Sequence, residues 1–291
     1  MTRLTDPGET TAVLKRHGLS LKKRFGQNFL IDARVLDRIV AAADVQKTDT
    51  VLEIGPGIGT LTQALAEAAG HVTAVEIDRD LIPVLQETLA AYPNVEIVNQ
   101  DILKYDIAAL AARAEGSLKV VANLPYYITT PIIMSLLEGD IPAKSITVMI
   151  QKEVAERMAA GPGGKEYGAL SLAVRYYAEP ELIANVPPNC FIPRPAVSSV
   201  VIRLTLRQTP PVQTKDPAFL FAVIRAAFGQ RRKTLTNSLA NAGSLGLSKA
   251  QVQQALNDME LDDNIRGEAL DLAQFAELAD RLQESSWKER T

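Results

Sequence analysis

The chain has 291 residues, 47% of them hydrophobic and 22% charged, which is enough for one large domain with a smaller one beside it. It contains no run of 18 uncharged apolar residues, so no spanning segment is expected, and its first residues lack the apolar stretch of a secretory signal; a soluble cytoplasmic protein is expected. A single cysteine, Cys190, excludes an internal disulfide framework, and with only His17 and His71 beside it a thiolate and imidazole zinc cluster is excluded and no metal is expected.

Residues 50 to 121 repeat a short apolar run followed by a helix-like stretch: "TVLEI" then "GTLTQALAEAAG", "HVTAVEI" then "RDLIPVLQETLAAY", then "VEIV" and "LKVVA". This alternation of β-branched runs with helical spacing predicts an α/β domain on a mostly parallel sheet. "PIIMSLLEG" continues as a helix and "SITVMI" as a buried strand, and "KEVAERMAAG" is a helix stopped at "GPGG". "LSLAVRYY" has helical spacing, "VPPNCFIPRPAV" holds four prolines in twelve residues and reads as a rigid extended loop, and "VSSVVIRLTLR" reads as a long strand. After the linker "QTPPVQTKDP" only helical patterns remain. The expected division is therefore an α/β domain over 1–208, with a basic N-terminal arm over 1–24, and an all-helical domain over 209–291.

Charge is unevenly spread. The net charge is −3, yet nine basic residues and the single acid Asp216 lie between Leu182 and Asn257, a local +8 that leaves −11 for the rest. A second cluster, Lys15, Arg16, Lys22, Lys23 and Arg24, has no acid between Ala12 and Ile31. Two such clusters point to a polyanionic partner over a merely solvated face.

"VLEIGPGIGTLT" places Glu53, Gly55, Gly57 and Gly59 between the first strand of the repeat and its helix. Glycines there permit a tight turn and close backbone approach to a ligand. A dinucleotide fingerprint would need a third glycine where Thr60 stands, so the pattern fits an S-adenosylmethionine site better. "VEID" ends the next strand, and Glu76 is the carboxylate expected to accept the ribose hydroxyls; Asp78 and Asp80 read as exposed acids starting a helix. "NQDI" puts Asp101 where it can accept from the adenine amine. "NLPYYITTP" follows "LKVVA", so Asn123 falls at a strand end, in the crevice where open α/β sheets bind ligands.

A chemical reason exists for an amide there. An exocyclic amine of adenine is a poor nucleophile because its lone pair is delocalised, and two acceptors holding its protons direct that lone pair at a sulfonium methyl. The Asn123 oxygen and the Pro125 carbonyl are the expected pair, with Leu124 between them and Tyr126 as a stacking face. Tyr127 receives no role beyond packing.

Taken together, "KKRFGQNFL", "EIGPGIGTLT", "VEID", "NLPYYITTPI", "FIPRPAVSS" and "FGQRRKTLTNSL" resemble the bacterial small-subunit rRNA adenine N6,N6-dimethyltransferases of the KsgA or RsmA type, over about Leu21 to Leu239. The resemblance implies a class I, Rossmann-like methyltransferase fold with a mostly parallel seven-stranded sheet and helices on both faces, plus a small all-helical C-terminal domain. It implies S-adenosyl-L-methionine as cofactor, S-adenosyl-L-homocysteine as product, and cofactor contacts at Gln27, Asn28, Leu30, Gly55, Gly57, Glu76, Asp101 and Asn123. It implies that Phe191, in a proline-held loop with Pro193, Pro195 and Val197, sandwiches the target base against Tyr126. The substrate implied is 16S rRNA in the small ribosomal subunit or its precursor, dimethylated on two adjacent adenosines near the 3′ end, with Lys22, Lys23, Arg24, Arg231, Arg232 and Lys233 gripping phosphates and the protein acting as a monomer. The rival readings are a DNA adenine-N6 methyltransferase, whose signature usually has Pro where Leu124 stands, and a ribosome-assembly factor that grips RNA without catalysis.

Overall fold

The computed structural model describes residues 4–19, 27–139 and 141–288, with side chains described as far as 284. In chain order the described elements are α1 (Pro7–Arg16), β1 (Phe29–Leu30), α2 (Ala33–Ala43), β2 (Thr50–Ile54), α3 (Thr60–Ala68), β3 (His71–Glu76), α4 (Ile82–Thr88), β4 (Val95–Asn99), α5 (Ile107–Arg113), β5 (Leu118–Asn123), α6 (Thr129–Glu138) and β6 (Ala143–Gln151). They continue with α7 (Lys152–Ala159), α8 (Ala169–Tyr177), β7 (Ala178–Val186), β8 (Phe191–Ile192), β9 (Ser199–Leu206), α9 (Pro217–Gly229), α10 (Leu235–Ala240), α11 (Lys249–Asp258) and α12 (Leu272–Lys288).

Seven strands form one sheet in the order β4-β3-β2-β5-β6-β9-β7, in which β4-β3-β2-β5-β6 run parallel and β9 pairs antiparallel with β6. The central strands are largely apolar because helices leave them no solvent face: β2 is buried at all five positions, Thr50 and Glu53 included. One core cluster packs Val35, Leu36, Ile39, Leu61 and Leu65 of α2 and α3 on Val51, Val72, Val121, Met149 and Val201 of five strands. Strand β7, which the sequence reading did not identify, lies at the sheet edge, where Pro180 cannot disrupt an interior ladder.

The N-terminal segment departs from the expected arm. Asp6 caps α1, its carboxylate accepting from the Gly8 and Glu9 N–H groups at 2.7 and 3.0 Å, with Pro7 as the first helical residue. The spacing of Val13 and Leu14 then buries one side of α1 in a cluster with Phe29, Ile58, Leu81 and Val84. Arg16 and His17 both reach Glu87 on α4, at 2.8 and 2.6 Å. The segment from Asp6 to His17 is thus a packed helix; Lys22, Lys23 and Arg24 lie outside the described residues.

By contacts the chain divides into a unit of residues 1–155 and 179–206 and a unit of residues 156–178 and 207–291. This differs from a single cut at 208, because residues 156–178 belong with the helices. The cause is aromatic and polar packing within that unit. Tyr177 stacks on Phe221 with centroids 5.7 Å apart, Tyr176 meets the same ring edge-on at 5.1 Å, and the Tyr167 hydroxyl donates to the Leu270 carbonyl at 2.9 Å. Among the described residues no helix is long and apolar enough to cross a membrane.

Candidate active site

The site lies within the first unit, at the carboxyl ends of the parallel strands. One cavity there is lined by Gln27, Asn28, Leu30, Gly55, Gly57, Glu76, Asp101, Asn123, Leu124, Pro125, Tyr126 and Phe191, together with Glu53, Ile77 and Tyr127. Residues separated by more than a hundred positions meet because β1 and β8 form a two-stranded ladder of their own, pairing Phe29 with Ile192 and Leu30 with Phe191, extended by the Ile31 N–H donating to the Cys190 carbonyl at 2.8 Å. The "QNFL" segment is tied at two further points. The Gln27 amide donates to Asp78 Oδ2 at 2.9 Å, and the Asn28 carbonyl accepts from Asn123 Nδ2 at 3.1 Å. Asp78, expected to be exposed, is 4% exposed for this reason.

The glycine turn is built for a ligand at one end and for packing at the other. Gly55 has φ of 67° and open space where a side chain would begin, so the cavity reaches the backbone itself. Gly59 has φ of 93° and packs its α-carbon against Thr88 and Leu89 of the α4 end, where a Cβ would lie 3.0 Å from Thr88 Oγ1.

Among the described residues no cation pairs with the two carboxylates under this turn. Glu76 is 5% exposed and accepts from the Asp78 N–H at 2.8 Å and from the Gly57 N–H at 3.3 Å, yet burial pushes its pKa up to about 7. Glu53 is 1% exposed and its Oε2 has no hydrogen-bond partner among the described residues. Burial, against the opposing influence of the nearby Thr62 hydroxyl, raises its pKa to about 8, and the Glu76 carboxylate adds to the rise. Asp101 caps the turn Ile102–Lys104 through Oδ1, which accepts from the Leu103 N–H at 3.0 Å, while its carboxylate lines the cavity. Buried acids without a cation among the described residues, one of them with an unpartnered oxygen, beside an open glycine backbone, suit a ligand that brings hydroxyl and ammonium donors. S-adenosylmethionine has both, and the residues present fit it.

Asn123 ends β5. Because its amide nitrogen donates to Asn28, the carbonyl oxygen of the side chain is left as the acceptor. The Pro125 carbonyl, expected to be the second acceptor, already receives the Thr129 hydroxyl at 3.0 Å and the Ile128 N–H at 3.3 Å, because it opens the turn that leads into α6. The Tyr126 hydroxyl pairs with Ser199 Oγ at 2.8 Å on β9, which fixes that ring. Phe191 lines the cavity but is 3% exposed and belongs to the core cluster, so its ring is held by packing as well as by the prolines. Sequence reasoning placed Glu53 in the glycine pattern without a contact of its own and gave Tyr127 only packing; the signals available were an acid at a strand end and an aromatic in a polar turn.

In the helical unit, Arg231 is a strut. It donates to the Lys165 and Tyr167 carbonyls at 2.8 and 3.1 Å and lies 3.7 Å from Glu268. Arg232 and Lys233 beside it are exposed.

Residues 18–283 match the family model for ribosomal RNA adenine dimethylase. A ribosomal RNA small subunit methyltransferase A from Lachnoclostridium phytofermentans is 57% identical over 98% of this chain and 99% of its own length, and one from Bacillus licheniformis is 51% identical over 97% and 98%. Among solved structures, a dimethyladenosine transferase from Plasmodium falciparum aligns with a TM-score of 0.71 at 26% identity over 90% of this chain and 98% of its own. The 23S rRNA methyltransferase ErmE aligns with a TM-score of 0.68 at 28% identity over 88% and 100%. By its family match, its full-length relatives and a fold shared with both structures, the chain belongs to the ribosomal RNA adenine dimethylase family.

Proposed function

We propose that the chain transfers methyl groups from S-adenosyl-L-methionine to N6 of two adjacent adenosines near the 3′ end of 16S rRNA, on the small ribosomal subunit or its precursor in the cytoplasm. The relatives named as small-subunit methyltransferases support that substrate. What supports the chemistry is the Asn123 amide in the cavity lining, whose nitrogen donates to the Asn28 carbonyl and whose oxygen is thereby left as an acceptor.

The cofactor supplies an electrophilic methyl on a sulfonium. Glu76 would accept the ribose hydroxyls, Asp101 the adenine amine, and the Gly55 backbone would border the amino acid end. At the target, Asn123 Oδ1 would hold one N–H of the adenine amine. With the Pro125 carbonyl already engaged by Thr129 and Ile128, the Leu124 carbonyl is the backbone acceptor suited to the other. Tyr126, braced on Ser199, would offer its face to the extruded base, a stack worth roughly 1–3 kcal/mol. Catalysis is then orientation of the lone pair, with no side chain needed to remove a proton before the methyl moves. Arg232 and Lys233, and Lys22, Lys23 and Arg24 outside the described residues, would hold phosphates.

Methyl transfer from labelled cofactor to small-subunit particles lacking the modification, with naked rRNA and duplex DNA alongside, tests the reading. Label on the particle's adenosines is expected; label on DNA alone would overturn it.

A further inference from the structure

Tyr126 and Tyr127 are neighbours in sequence, line the same cavity and differ in their partners. Tyr126 is bonded to Ser199 on β9. Tyr127 is 56% exposed and lines the cavity together with Glu76 and Asp101. Its hydroxyl senses both carboxylates, which add to the effect of burial in raising its pKa. The ring thus shares a cavity wall with the two acids at the ends of β3 and β4.

A phenol ring more than half in water contributes little to a core. Among the described residues the exposed large apolar side chains are Ile77, Leu103, Tyr127, Leu182 and Val197. Three of these five, Ile77, Leu103 and Tyr127, follow the carboxyl ends of β3, β4 and β5. Ile77 and Tyr127 line the cavity, and Leu103 adjoins Ile102, which does so too. Exposed apolar groups gathered on one rim mark a binding surface. The polar groups among them, Glu76 and Asp101, are acceptors. The fitting occupant is a planar apolar body with donors on its edge, which describes an adenosine with its ribose hydroxyls and exocyclic amine.

We propose that Tyr127 is a positioning residue that covers the adenosine half of the cofactor, so that its ring sets how long cofactor and spent product stay bound and leaves the methyl transfer step to Asn123. This rests on the methyl-transfer reading above. Dimethylation of two adenosines needs four transfers, and each requires exchange of product for fresh cofactor, so a cover on the exposed rim controls a step that recurs four times per substrate. Affinity changes at such a rim fall mainly on the dissociation rate.

The test is calorimetric binding and stopped-flow dissociation of S-adenosylhomocysteine on the full chain, with steady-state kinetics on unmodified small-subunit particles. If the wild-type chain binds neither S-adenosylhomocysteine nor S-adenosylmethionine, the methyl-transfer reading itself falls. Given wild-type binding, Tyr127→Ala is expected to weaken S-adenosylhomocysteine about tenfold through faster release, to raise the KM for S-adenosylmethionine similarly, and to leave the KM for the particle unchanged, with kcat at saturating cofactor within about twofold. Tyr127→Phe should restore wild-type affinity, and Tyr127→Leu, apolar but not planar, should not. Unchanged product affinity in Tyr127→Ala, a defect confined to the KM for the particle, or a Tyr127→Phe variant as weak as the alanine would each overturn the proposal.

Discussion

The two ends of the central sheet bury charge in opposite ways. At the amino ends of the strands, Lys119 is 2% exposed and fully engaged: its ammonium lies 2.9 Å from Asp49 Oδ2 and also donates to the Asp44 carbonyl. Asp49 in turn accepts from the Gln46 N–H at 2.9 Å and the Ser117 N–H at 3.3 Å, and Lys119 and these N–H groups outweigh burial in lowering its pKa. At the carboxyl ends, Glu53 and Glu76 are as deeply buried, have no such cation among the described residues, and are pushed up to about 8 and about 7. A buried charge whose partners are all internal holds the scaffold together, whereas a buried acid left short of partners awaits a ligand.

That contrast can be broken most forcefully at the satisfied end. Lys119→Met should leave Asp49 buried without its cation and cost about 3–5 kcal/mol of stability by denaturant unfolding, and adding Asp49→Leu should recover most of it. Cofactor affinity of the protein that remains folded should not change, since the lesion is at the far end of the strands. At the other end, Asn123→Ala should lower kcat at least ~100-fold, about 2.7 kcal/mol, with product affinity within severalfold of wild type and stability reduced by only about 1 kcal/mol for the lost bond to Asn28.

Glu53 sharpens the comparison through pH. Unfolded, its carboxyl ionises near its ordinary value of 4.5; folded, it keeps its proton until about 8. Its contribution to stability is thus complete below pH 4.5 and is lost as pH rises towards 8. Glu53→Gln, which cannot ionise, should flatten the fall of Tm across that window by a few degrees, and a parallel fall in both proteins would assign the pH dependence elsewhere. The smallest effect belongs to the exposed cations of the helical unit. Arg232→Glu with Lys233→Glu should weaken particle binding and reduce its salt slope by about two, while Arg231→Ala, which removes a strut, should lower the thermal stability of that unit instead.

Much of the architecture was legible because it is written locally. The parallel sheet follows from β-branched runs alternating with helical spacing, and the ligand end of that sheet from a glycine turn that leaves Gly55 open. Helix α1 was equally legible, with Asp6 as cap and Pro7 at its first position, but the basic residues around it suggested an arm. Strand β7 was hidden because Pro180 and the acids Glu179 and Glu181 argue against an interior strand, and an edge strand tolerates them. The membership of residues 156–178 in the helical unit was not legible, since it depends on rings from α8 meeting Phe221 far along the chain.

By itself the sequence determined which chemistry was available: a glycine turn, carboxylates at successive strand ends, and an asparagine followed by a proline and a tyrosine after an apolar run. These are properties of neighbouring residues, set by backbone preference and side-chain type. Only the tertiary structure decided how those groups are used. The pairing of Leu30 with Phe191, the Asn28 carbonyl that orients Asn123, and the donors that engage Pro125 all join or orient groups through the folded chain. So does the protonation of Glu53 and Glu76, because a pKa is set by burial and by the nearest dipoles.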